Sequence, residues 1–288
     1  LLRAADITCR FGRDPVLQGV SLHVARGGIT GVLGPNGSGK TTLLRILSGA
    51  LAPTSGEVRL DDAPVGSVPK RVLARRLAVV PQEIHPVFDY TVLDLALMGR
   101  YAHLGPFGFE TATDLLAVRR ALAATGTADL EGRHFDTLSG GEKQRVVIAS
   151  ALAQFEEDRL DAGRLLILDE PTAALDLHYQ IEVAQLLRRL ADDRGLTLLV
   201  TTHDLQFAWQ VCDRVVLLQE GRVLADGPTD ETLTPEHLYT LYGVRVDRMT
   251  HPDGTVSLVP ASLVGDRAMR RPPGRVGGRS DTRTGAMR

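Results

Sequence analysis

The sequence predicts an α/β fold built on a phosphate-loop nucleotide-binding core. Three observations carry that expectation. The apolar run Ile29-Thr30-Gly31-Val32-Leu33 leads into a glycine-rich turn and then a helical pattern. Two further runs, residues 165–168 and 196–201, are short and apolar, of the kind buried in a parallel sheet. Between those two lies a helical pattern over residues 177–192, which completes a βαβ unit.

The elements follow in order. Residues 4–32 alternate apolar and polar with glycine breaks, and 16–24 read as a strand. After the glycine turn, residues 41–48 read as a helix closed by Gly49. Residues 57–60 are a short strand, turned by Asp61-Asp62-Ala63-Pro64. Residues 77–80 are a buried strand stopped by Pro81. The chain then becomes helix-rich. Thr91 can cap a helix carrying Val92, Leu93, Leu95, Ala96 and Met98; residues 114–124 form a second helix ended by Gly126, and 142–154 a third. After the βαβ unit, residues 215–218 and 221–224 read as a late hairpin. From about Arg271 the sequence is rich in Pro, Gly and Arg and is expected to be disordered.

Composition narrows the function classes. Hydrophobic residues make up 43% of the 288 and charged residues 24%, an ordinary globular balance. The net charge of −2 argues against nucleic-acid binding through an all-over basic surface. The charge is uneven, however: from Asp266 onward seven arginines face two aspartates, a net +5. Such a tail could steer towards anionic lipid or nucleic acid, or be a solvated end. Cys9 and Cys212 lie far apart in apolar, strand-like contexts and form no C-x-x-C pair. They read as two buried free thiols in a reducing compartment. No apolar run reaches the about 18–20 residues a membrane helix needs. The opening Leu1-Leu2-Arg3-Ala4-Ala5-Asp6 lacks the apolar core of a secretory signal, so the chain reads as cytoplasmic. Its first residue is not Met, and the natural start is expected upstream.

Gly34-Pro35-Asn36-Gly37-Ser38-Gly39-Lys40-Thr41 matches G-x-x-x-x-G-K-[ST] between a strand and a helix. The glycines let successive N–H groups point inward and make an anion site at a helix N-terminus. Lys40 adds a full charge towards the β- and γ-phosphates, and the Thr41 hydroxyl suits Mg²⁺. The run 165–168 ends in Asp169-Glu170, where open α/β sheets bind ligands. Asp169 can orient Mg²⁺ through water, and Glu170 can act as general base on the attacking water. Leu138-Ser139-Gly140-Gly141-Glu142-Lys143-Gln144 precedes a helix. It is a second place to hold phosphate. Ser139 with Glu142 also fits an ordinary capping box. Gln82 fits a solvated turn, His203 a satisfied structural histidine and Phe11 a core position.

The ordered set GPNGSGKT, Gln82, LSGGEKQ, LLILDEP, Ala174-Leu175-Asp176 and His203 resembles the nucleotide-binding subunit of ABC transporters over residues 3–245. The resemblance implies a P-loop ATPase core with an antiparallel β-subdomain and a helical subdomain near 83–150. The remainder divides into an extension, 246–265, and the tail, 266–288. It implies ATP and Mg²⁺ as ligands. Phe11 would stack on adenine. Gly34, Asn36, Gly37, Ser38, Gly39, Lys40, Thr41 and Thr42 would hold phosphates. Thr41, Gln82 and Asp169 would serve the metal. Glu170 would be the base and His203 would contact the γ-phosphate. Asp176 would lie at a dimer interface, and Ser139, Gly140 and Gly141 would complete the ATP site of the opposite copy. Glu142 stands where many members have Gln, and it is expected to cap its helix.

The interval between Gln82 and Ser139 has no room for a long coiled coil, two cysteines cannot build zinc modules, and there is one phosphate loop. Those facts point away from soluble members acting on nucleic acid or ribosome. They favour a separate subunit that docks on multi-span membrane permeases at the cytoplasmic face, with a substrate-binding protein as indirect partner. Thr91 to His103 resembles ATPases of iron-siderophore, haem and cobalamin importers, where Gly-Arg-Tyr-Pro-His is common; Ala102 replaces the proline. The link 155–164 is longer than usual, as in some haem-importer ATPases. A two-component exporter ATPase is the alternative within the family.

Overall fold

The computed structural model describes residues 1–83, 86, 88–105, 107–155 and 163–263. The arginine-rich tail, and most of the link 155–164, lie outside the described residues. Strands β1 (Leu2–Phe11) and β2 (Asp14–Val24) pair antiparallel. Next come β3 (Ile29–Leu33), α1 (Lys40–Leu47), β4 (Ser55–Leu60), β5 (Ala63–Pro64), α2 (Lys70–Ala74) and β6 (Leu77–Val80). The helix-rich stretch holds α3 (Val92–Leu97), α4 (Ala112–Ala124) and α5 (Gly140–Ala153). Then β7 (Leu165–Asp169), α6 (Leu177–Asp192), β8 (Thr197–Thr202) and α7 (Leu205–Val211) alternate. The chain continues with β9 (Arg214–Gln219), β10 (Arg222–Pro228), α8 (Thr229–Thr232) and α9 (Pro235–Tyr242), then β11 (Val244–Thr250) and β12 (Val256–Leu263).

The strands form a four-stranded antiparallel sheet, β2-β1-β4-β5, and a six-stranded sheet, β10-β9-β3-β8-β7-β6. In the larger sheet β9, β3, β8, β7 and β6 run parallel and only β10 is antiparallel. Its central strands are buried on both faces, which is why they read as unbroken apolar runs. Period-2 alternation sends Leu165 and Ile167 to one core, with the antiparallel sheet and α1, and Leu166 and Leu168 to the other, under the helices. Helix α6 buries Val183, Leu186, Leu187, Leu190 and Ala191, a stripe at helical spacing.

The expected elements are present with shifted ends. Helix α1 starts at Lys40, α4 at Ala112 behind a Thr111–Asp114 capping box, and α5 at Gly140. Thr91 caps α3 as expected, with Asp94 completing the box; α3 ends at Leu97, and Met98 opens a tighter turn through Ala102. Cys9 and Cys212 are both free and buried. Cys212, however, ends α7 rather than lying in a strand, because the chain must turn there before entering β9.

The Gly99–His103 stretch fastens the helical region to the sheet. A Cβ on Gly99 would lie 2.1 Å from the Ser150 carbonyl oxygen, so only glycine lets this turn approach α5. Arg100 is buried and donates to Asp114 (2.9 Å) and the Ala153 carbonyl (2.7 Å). His103 donates to the Gln154 carbonyl (2.8 Å), and Gln154 donates to the Ala74 and Leu77 carbonyls (2.6 and 3.0 Å). Burial works against the Asp114 carboxylate. The Thr111 hydroxyl and amide and the Arg100 guanidinium outweigh it, holding Asp114 down at about 2. A value below the ordinary 3.8 means the stabilisation is complete above about pH 4 and is lost as pH falls towards 2. Asp114→Asn is therefore expected to cost about 2 kcal/mol at pH 7. Urea unfolding should show the gap between variant and parent closing below pH 4.

Candidate functional site

The phosphate loop leaves β3 at the carboxyl edge of the parallel strands and enters α1. A Cβ on Gly34 would lie 2.2 Å from the Leu218 carbonyl oxygen and 2.6 Å from Ser38 Oγ, so the loop passes β9 at a distance only glycine permits. Gly39 caps α1 in the left-handed region (φ +103), and no side chain caps this helix. The first-turn N–H groups of α1, which a helix cannot satisfy internally, thus face an open cavity of about 790 Å³. Lys40 is buried, and its Nζ donates to the Gly34 carbonyl (2.8 Å) and more weakly to Pro35 (3.3 Å). Ser38 Oγ is buried without a hydrogen-bond partner.

The acidic pair sits at the end of β7. The parallel register sets Asp169 beside Thr201 on β8, and the Thr201 hydroxyl donates to Asp169 Oδ1 (2.5 Å). Glu170 takes φ +46, a conformation a non-glycine residue adopts at a cost of about 1–3 kcal/mol. Its N–H donates to the Thr201 carbonyl (3.2 Å) and hydroxyl (3.0 Å), which holds the turned backbone in place. Glu170 Oε1 is then 3.5 Å from Lys40 Nζ, and Oε2 is 3.2 Å from His203 Nδ1. One carboxylate therefore bridges the loop lysine and the strand-end histidine.

Asn36, Gly37, Gly39, Lys40, Thr41, Thr42, Gln82, Glu170 and His203 all line the same cavity. Gln82 also lines a smaller one of about 230 Å³ with Gly140, Lys143, Gln144 and Leu175, and so stands between the two. Ser139, Gly140, Gly141, Asp176 and Phe11 do not line the phosphate cavity. Phe11 is 53% exposed at the end of β1, which removes the core alternative for it. Ser139 caps α5: its Oγ accepts from Glu142 N (3.3 Å), and Glu142 Oε2 accepts from Ser139 N (2.7 Å). Those bonds from Ser139 hold the Glu142 carboxyl below its usual range, so it stays ionised. Glu142 caps its helix, as expected. A Cβ on Gly141 would lie 2.2 Å from the Tyr179 ring, which fixes glycine there.

Two residues at the site escaped the sequence reading. Thr201 binds both Asp169 and Glu170 from a neighbouring strand, and only the sheet register reveals it. Tyr242, at the end of α9, has a buried hydroxyl without a partner; burial first, and then the Glu170 charge, push its phenol up to about 12.

The donors present fit a nucleoside triphosphate: an uncapped helix N-terminus, a buried lysine and the unpartnered Ser38 hydroxyl. Among the described residues no group of three or more His, Cys, Asp and Glu could hold a metal ion alone. Oxygen donors such as those of Thr41, Gln82 and Asp169 suit a Mg²⁺ that completes its shell with phosphate oxygens and water.

Comparison with known proteins agrees with this chemistry. The family model described as ABC transporter matches residues 17–173. The hemin import ATP-binding protein of Bordetella pertussis is 42% identical over 253 residues, 87% of this chain and 95% of that protein. The cobalamin import ATP-binding protein of Halobacterium salinarum is 39% identical over 246 residues, 85% of this chain and 60% of that protein. Among solved structures, a metal-chelate type ABC transporter in an inward-facing conformation superposes with a TM-score of 0.78 at 30% identity, over 91% of this chain and 97% of its own. With its phosphate loop, signature turn and acidic strand end in that order on that fold, this chain belongs to the ABC transporter family as an ATP-binding, ATP-hydrolysing domain.

Proposed function

We propose that this chain is the ATP-hydrolysing subunit of a membrane importer for a metal chelate: an iron-siderophore, haem or cobalamin. It works as a homodimer on the cytoplasmic face of the membrane, beneath multi-span permease subunits that receive substrate from a periplasmic or extracellular binding protein. The observation that carries this reading is that relatives named for hemin and cobalamin import align along nearly the whole chain. The metal-chelate type transporter among the solved structures supports it.

The residues supply a consistent chemistry. Lys40 and the α1 N–H groups hold the β- and γ-phosphates, and Thr41, Gln82 and Asp169 serve Mg²⁺, which when bound neutralises charge on the phosphate oxygens. Water attacks the γ-phosphorus, its proton passes to the Glu170 carboxylate, and the bond to the ADP oxygen breaks. His203 supports Glu170 and contacts the γ-phosphate. Ser139, Gly140 and Gly141 lie off the phosphate cavity, which supports a site completed by the partner copy with Asp176 at the interface. ATP then closes the dimer and hydrolysis reopens it.

An apolar groove of about 420 Å³ supports the membrane partner. It is lined by Val79 on the edge strand β6 and by Phe88, Tyr90, Met98, Gly99 and Val147. Val79 and Phe88 are exposed, and Gln82 lies between them in the chain. A permease helix seated here would touch the segment that carries Gln82 to the phosphate. No helix among the described residues is long and apolar enough to cross a membrane.

The decisive experiment is purification of the Glu170→Gln chain with ATP from detergent-solubilised native membranes. Recovery of a many-span permease is expected, and it could then be assayed with haem, siderophore or cobalamin. A purely soluble partner at every nucleotide state would sink the importer reading. The shared site has its own test. Lys40→Ala and Ser139→Arg chains are each expected to be inactive, while their mixture regains ATP turnover through heterodimers with one intact site. No recovery on mixing would count against completion by the partner copy.

A further inference from the structure

We propose that Gln206 is a positioning residue for ATP hydrolysis: by tying α7 to the C-terminal hairpin β11–β12, it fixes the place of His203. The His203 ring is 54% exposed, so side-chain packing does not hold it where Glu170 needs it. Its backbone does. Thr202 Oγ1 accepts from Asp204 N (3.0 Å), and Asp204 Oδ1 caps α7 by accepting from Gln206 N (2.8 Å) and Phe207 N (3.0 Å). His203 therefore moves with the first turn of α7.

Helix α7 spans only Leu205–Val211, too short to be stable without tertiary support. Its inner side buries Phe207, Ala208 and Val211. Its outer side meets the hairpin. Gln206 Nε2 donates to the Val256 carbonyl (3.1 Å), and Gln206 Oε1 accepts from Leu258 N (3.1 Å). One side-chain amide thus satisfies β12 as a third strand's backbone would, on the edge away from β11. One turn along α7, the Arg248 guanidinium lies 4.5 Å over the Trp209 ring. Val246 and Leu258 reach down into the same core as Phe207. A two-stranded sheet is marginal alone, so hairpin and helix stabilise each other, and the helix end nearest the join carries the catalytic histidine. The same C-terminal segment brings Tyr242 close enough to Glu170 to feel its charge.

The inference rests on His203 acting in turnover, and His203→Ala is the control for that. The test variant is Gln206→Met, which keeps the length and loses both hydrogen bonds. In the purified chain with Mg-ATP, kcat is expected to fall about 5- to 10-fold with KM for ATP within about 2-fold, a modest case of the loss a misplaced group produces. Amide hydrogen exchange should speed up at residues 204–208 and 256–258. Arg248→Ala loosens the same join from the other side and should move both readouts the same way; it replaces Gln206→Met if that variant does not fold. Released amides with an unchanged kcat would overturn the proposal, and so would unchanged exchange with unchanged kcat. A normal rate in His203→Ala would instead bring down the role of His203 itself.

Discussion

Glu170→Gln is expected to bind ATP and turn it over at least about 100-fold more slowly than the parent chain, the scale of a lost general base. The exchange is nearly isosteric. The carboxamide keeps an oxygen for Lys40, now 3.5 Å from the carboxylate, and presents either amide atom to His203, now at 3.2 Å. What disappears is the ability to take a proton from water. Lys40 also loses a competing anion, since Glu170 Oε1 lies 3.5 Å from its ammonium. ATP affinity should therefore be equal or tighter, and the ATP-closed dimer should persist on gel filtration. Single-turnover phosphate release, together with nucleotide binding, separates the two effects. Full hydrolysis by this variant would remove Glu170 as the base.

The parts of the site legible in the sequence are those whose residues are neighbours in the chain. The loop 34–41, the pair Asp169-Glu170 and the run 138–144 are each contiguous, so their residues can be picked out in the sequence; only the loop stands on its spacing, and the other two gain their reading from standing in order with it. What stayed hidden was set by contacts between distant segments. Thr201 matters because parallel register places it opposite Asp169. Arg100 and Asp114 pair across a loop, and neither residue announces it. Strand β1 runs through Leu2–Phe11, yet its alternation is broken where the register shifts around Asp6, itself at φ +51. The positive φ of Glu170 has no sequence signature, since no glycine or asparagine marks the turn at that position.

The C-terminal hairpin is a different case. The sequence marks residues 246–265 only as an extension, and in the structure β11 is exposed at nearly every position, so no buried face imposes an apolar alternation. A signal was nonetheless present. Pro252-Asp253-Gly254-Thr255 is a turn sequence between two short β-prone runs, and the structure uses it so: Thr255 N and Oγ1 both donate to Asp253 Oδ1, and Gly254 sits at φ +84. Exposed strands defeat periodicity arguments because no buried face imposes the period. Turn chemistry is the more dependable guide there.

Lys40→Ala is expected to weaken ATP binding about 100-fold or more. Lys40 is 6% exposed and held by the Gly34 carbonyl, so its ammonium is aimed before any ligand arrives. Charge-assisted bonds to two phosphate groups, each contributing about 1.5–3 kcal/mol, account for a loss of that size. The substitution also strips Glu170 of its nearest cation in a site where that carboxylate is 13% exposed. Part of any fall in activity would then reflect a disturbed Glu170 rather than a missing phosphate contact. The double variant Lys40→Ala with Glu170→Gln separates the two, because it removes the unpaired charge and leaves the phosphate contact missing. If the double variant binds ATP as weakly as Lys40→Ala while recovering thermal stability, the lysine acts on the nucleotide itself. If binding recovers with stability, the lysine's main task is to hold Glu170. Unchanged ATP affinity in Lys40→Ala would undo the assignment of residues 34–41 as the phosphate loop.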